Sequence, residues 1–158
     1  MTAWTDSSEQ LQDLALQALD HALDSLEGGE PLIAFALVAN DNGIRLTRFI
    51  AESLEEGVEQ GRTLLAGMSP AEAQIAAFAY DGYLRLDGVR SDAIFVEAQA
   101  RGMTVSASIA QRYKPSEGPP DLIGDPADAG DVAPLWAAMS GSSRAEAAPR
   151  RSRLFRRR

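Results

Sequence analysis

Apolar residues recur without a break at Leu11, Leu14, Ala15, Ala18, Leu19, Ala22, Leu23 and Leu26. That spacing draws one stripe along a helix of 3.6 residues per turn. The opposite face carries Glu9, Asp13, Gln17, Asp20 and Asp24. Ser7 followed by Gln10 predicts the helix start as a capping box. Gly28-Gly29 predicts its end. Pro31 then opens LIAFALVAN, which is apolar on both faces and suits a strand covered on both sides. Asn40-Asp41-Asn42-Gly43 predicts a hairpin turn. Ile44 to Ala51 answers it with the mixed polarity of a more exposed partner strand.

Ser53 and Glu56 predict a second capping box and a helix running to about Ala66, with Leu54, Val58, Gly61 and Leu65 inward. Ser69-Pro70-Ala71-Glu72 also resembles a helix start. Aromatic residues at period two in Ile75 to Tyr83 limit it to one turn before a strand. Asp81-Gly82 reads as a bulge or turn, and Asp87-Gly88 as the next turn. Ala93 to Ala100 and Met103 to Tyr113 read as two further strands, joined at Arg101-Gly102. Short connections predict antiparallel pairing.

The expected fold is therefore α+β and two-layered. A five-stranded antiparallel sheet, in the order α-β-β-α-β-β-β, is covered by one or two helices. That element order is similar to that of roadblock or profilin-like domains, which implies a closing helix after the last strand, here missing or displaced to Val132–Met139. The compact domain is expected over 1–114. Residues 115–158 change composition, first to Pro, Gly and Asp and then to Arg, and read as a disordered arm. One apolar island, Val132 to Met139, interrupts it.

Charge divides the chain in the same place. Arg144 to Arg158 holds seven Arg against one Glu, while Met1 to Ser143 is acidic with a net of −14. An Arg cluster suits phosphate or carboxylate partners. Arg150, Arg151, Arg153, Arg156, Arg157 and Arg158 are thus candidates for binding a polyanion or a protein partner. Nucleic acid and anionic membrane are the polyanions in view, although an acidic body repels a phosphate backbone. The acidic body is itself a surface the tail can meet, in cis or in trans. Leu135 and Trp136 in the island form a candidate docking anchor.

Catalytic signatures are sparse. Cysteine is absent, which rules out thiolate chemistry and suits a cytoplasmic setting. The N-terminus lacks a signal-peptide pattern. The single histidine, His21, cannot supply a zinc site and is expected as a surface or boundary residue at the flank of the first helix's apolar stripe. Gly57-x-x-x-Gly61 lacks the rest of a phosphate loop and reads as close helix packing. Gln111-Arg112-Tyr113 reads as a polar strand end.

Asp81, Asp87, Asp92 and Glu97 form the alternative carboxylate site, for a metal or for acid–base work. Asp92 and Glu97 are an odd number apart and should face opposite ways in one strand. No cofactor and no metal are expected. The reading that follows is a non-catalytic adaptor or regulatory protein acting through protein–protein contacts, a homodimer among them. A small enzyme or metal-dependent binder at 81–97, and polyanion binding through the tail, stand as alternatives.

Overall fold

The computed structural model describes residues 2–136. Among these residues three α-helices and six strands follow one another in the order α1 (Ala3–Asp6), α2 (Glu9–Ser25, continued by a 3-10 turn over Leu26–Gly28), β1 (Phe35–Asn40), β2 (Gly43–Arg48), α3 (Leu54–Ala66), β3 (Ile75–Leu86), β4 (Val89–Ala100), β5 (Ala107–Lys114) and β6 (Asp121–Asp128). The strands form one antiparallel sheet in the spatial order β2-β1-β3-β4-β5-β6.

Each face of the sheet has its own core. On the first, α2 buries Leu11, Leu14, Ala15, Ala18, Leu19 and Ala22 against Ala77 and Ala79 of β3 and Ile94 and Val96 of β4. The stripe read from the sequence is the buried face. Its cap is one residue later than expected, because Ser8 rather than Ser7 accepts from the Leu11 N–H. Ser7 is held by the short α1, which the sequence pattern did not reveal; its hydroxyl donates to the Trp4 carbonyl.

On the second face, α3 lies over Phe78 of β3 and Phe49. Ser53 caps it by accepting from the Glu56 N–H at 3.1 Å. Gly61 is the contact point: a Cβ there would sit 2.4 Å from Phe78 Cε1. At Gly57 a Cβ would meet the Phe49 carbonyl at 2.7 Å. The GxxxG spacing is thus a close-packing device.

Several boundaries differ from expectation. Asp81-Gly82 is neither bulge nor turn, since the β3–β4 register runs unbroken through Asp81↔Ile94 and Gly82↔Ala93. The hairpin extends to Asp87-Gly88, where positive φ at both residues (52° and 80°) makes the tight turn. Ser69–Glu72 forms an isolated turn closed by reciprocal side-chain bonds.

The sheet has six strands rather than five. Residues 121–128, placed in the arm by their composition, form β6 on the edge of β5. Composition reports apolar burial, and this strand is held by backbone pairing with nearly every side chain exposed. An edge position also tolerates Pro126. Beyond it, Val132 bridges Ser106, and no helix forms over 129–136. The arginines at 150, 151, 153 and 156–158 lie outside the described residues.

Candidate functional site

Strand alternation divides the candidate carboxylates between the two faces of the sheet. Asp87 sits in the exposed hairpin turn. Asp81 lies on the α2 face, where its Oδ1 accepts from the Tyr113 hydroxyl at 2.9 Å. Asp92 shares the parity of Ile94 and Val96, which line that same face. Glu97 has the parity of Phe95 and points to the other face. Among the described residues no group of three or more His, Asp or Glu could hold a metal ion. Asp81 and Asp92 share the α2 face, while Glu97 on the other face and Asp87 in the turn lie apart from them.

Glu97 belongs instead to a closed network beneath α3. Arg62 of α3 donates from Nη1 and Nη2 to Glu97 Oε1 and Oε2 at 2.8 and 2.9 Å. The Tyr80 hydroxyl donates to Oε2 at 2.5 Å. The guanidinium also lies over the Phe78 and Tyr80 rings, 5.4 and 5.6 Å from their centroids. Burial opposes the Arg62 charge, but the Glu97 carboxylate outweighs it and holds the guanidinium above its ordinary value. Burial first, and then the Glu97 charge, raises the Tyr80 phenol well above the usual tyrosine range. The sequence signal for this trio was weak, because Arg62 and Glu97 are 35 positions apart.

Tyr80 is also the link to a cleft. α3 covers only the β1–β3 half of the second face. The other half holds a depression of about 460 Å³. Tyr80 and Phe95 form its floor, with Leu84, Leu86, Ala110 and Ile123 on its walls. Arg112 of β5 and Asp125 and Asp128 of β6 supply the charged rim. Leu86 is 46 % exposed, and Val89, its register partner, is 65 % exposed. The cleft exists because β6 extends the sheet and no described helix covers that extension.

The polar strand end found in the sequence is split by the pleat. Gln111 is buried and donates to the Gly124 carbonyl at 3.0 Å across a register shift between β5 and β6. Tyr113 faces α2, and Arg112 faces the cleft.

Leu135 and Trp136 are seated in this chain's own second core. The Leu135 N–H donates to Gln99 Oε1 at 2.6 Å. Trp136 stacks on Arg101, whose Cζ is 3.8 Å from a ring centroid. Arg101 itself is pinned by the Ala73 and Met68 carbonyls. The pair therefore anchors 129–136 to the body, with its apolar surface turned inward. His21 is half-buried against Phe35, edge to face at 4.9 Å. No helix of the described residues is long and apolar enough to cross a membrane.

Comparison with known proteins gave no match to a family model, to a curated protein or to a solved structure.

Proposed function

We propose that this protein is a non-catalytic adaptor or regulatory module whose docking surface is the β3–β6 cleft. The observation that carries this reading is a cleft of about 460 Å³ beside the half-face packed by α3, with buried Tyr80, Phe95 and Ala110 beneath it and Leu86 exposed at its open end. Sheet faces bury their apolar side against another layer. A cleft with apolar walls and a few charged rim groups suits a side chain or short segment from a partner. Asp125 and Asp128 on the rim favour a partner segment that flanks its apolar residues with Arg or Lys.

The buried ionisable groups support binding over catalysis. Glu97 is neutralised by Arg62, and Asp81 is engaged by Tyr113. A general acid or base needs hydrogen-bond reach to a substrate proton, and these groups are turned to one another. The test is affinity capture from the native host, comparing wild type with Leu86→Glu and Leu86→Met. A partner held by wild type and Leu86→Met but lost by Leu86→Glu supports the reading. An unchanged set of retained proteins for all three chains contradicts it.

A further inference from the structure

Residues 129–136 run along the cleft. Val132 lines it, and four residues later Trp136 is buried in the cluster that holds Tyr80, Phe95 and Ala110. The described chain therefore ends at Trp136 on the second face of the sheet, the face that holds the cleft. Twenty-two residues follow, ending in RAEAAPRRSRLFRRR. Leu154 lies eighteen positions after Trp136, and an extended chain covers roughly 3.3 Å per residue. Crossing from β3 to β6 needs about three strand spacings, near 14 Å. Leu154-Phe155 can thus reach any point of the cleft with ample slack.

The chemistry is matched on both sides. Leu154 and Phe155 form an apolar pair bracketed by Arg153 and Arg156–Arg158. The cleft is an apolar depression bordered by β6, which carries Asp121, Asp125 and Asp128, with Asp131 just beyond. Among the described residues no ion pair joins these four carboxylates to a cation, although Asp128 accepts from the Thr2 hydroxyl and Asp131 from the Ala3 N–H. Among the described residues Arg112 is the single basic group lining the cleft.

We infer that the Arg144–Arg158 segment is an intramolecular ligand of the cleft. Leu154-Phe155 fills the apolar floor, and the flanking arginines face the β6 carboxylates. The segment occupies the surface that a partner must use, so a partner enters by displacing it. A short tether raises the effective concentration of such a ligand to the millimolar range. Modest intrinsic affinity is then enough to keep the cleft occupied. The inference rests on the reading of the cleft as a docking surface and names its resting occupant.

The chain has no cysteine, so paired cysteines can be introduced into the full-length protein without interference. Ser152→Cys with Ala127→Cys places one thiol in the tail and one on the cleft wall. Ser152→Cys with Asp20→Cys is the control, because Asp20 lies on the exposed side of α2, beyond the opposite face. At low salt and high dilution the cleft pair should close to a monomeric disulfide at least about tenfold faster than the control, consistent with raised effective concentration. The advantage should shrink in high salt, where exposed charges are screened. Equal closure rates for both pairs overturn the inference. Disulfide-linked dimers as the main product also overturn it, by moving the occupant to a second copy. Equal rates leave the partner-capture result standing. Failure of Leu86→Glu to change partner capture removes the docking reading while leaving the crosslink contrast measurable.

Discussion

Arg62 and Glu97 meet across the α3–sheet interface through two hydrogen bonds of 2.8 and 2.9 Å, but they are not equally buried. The Glu97 side chain is 2 % exposed and that of Arg62 is 33 %. Removing the guanidinium strands a carboxylate in the core, whereas removing the carboxylate leaves an arginine that can turn to water. Loss of one partner of a buried pair costs about 3–5 kcal/mol when the other charge stays buried. Arg62→Met is expected near the lower end of that range, and Glu97→Gln at least about 1 kcal/mol less. Urea unfolding midpoints of the two variants check the order. Equal losses would show that the pair is solvated.

Tyr80 gives the same network a pH signature. Its phenol is held well above the usual tyrosine value, by burial and then by the Glu97 charge. The folded chain therefore favours the protonated phenol more than the unfolded chain does. That contribution is fully present below about pH 10, the unfolded value, and is lost as pH rises beyond it. Stability should fall above pH 10 in wild type and fall less steeply in Tyr80→Phe. Matching alkaline profiles would contradict the placement of Tyr80.

Gly57 and Gly61 are predicted to resist alanine. Alanine normally gains about 1 kcal/mol over glycine inside a helix. Here the added Cβ meets the Phe49 carbonyl or the Phe78 ring, and overpacking typically costs about 1–3 kcal/mol. Both variants should be destabilised. Gly28, which has open space around it and no positive φ, should accept alanine without loss. Thermal melts of the three chains provide the comparison.

Leu14 is 3 % exposed in the α2–sheet core. Leu14→Ala should cost about 2–5 kcal/mol. A melting temperature equal to wild type would remove α2 from the core.

What the sequence made legible follows from where side chains carry the signal. The α2 stripe, the Ser53 cap, the Asn40–Gly43 turn and the Asp87-Gly88 turn each rest on local residue chemistry, and each is present in the fold. β6 was missed because its stability comes from backbone pairing to β5, and Gly124, Pro126 and three aspartates disguise it as a loop. The cleft could not be read in advance, since it depends on β6. The odd spacing of Asp92 and Glu97 did foretell that these two face opposite sides of the sheet. It gave no hint of Arg62, whose pairing depends on how α3 crosses the sheet. Trp136 was visible as an anchor, but its surface is turned to Arg101 and the chain's own core.

The central claim, that the β3–β6 cleft is a docking surface held by the chain's own basic terminus, is tested most directly by alanine-methyl NMR of the full-length protein. Wild type is compared with a Leu154→Ser, Phe155→Ser variant. Ala110, Ala127 and Ala129 line the cleft, whereas Ala15, Ala18 and Ala77 lie in the core on the other face. The account predicts shift changes at the three cleft methyls and none at the other three, with high salt moving the wild-type cleft signals toward the variant's positions. Unchanged cleft methyls in the variant would contradict it.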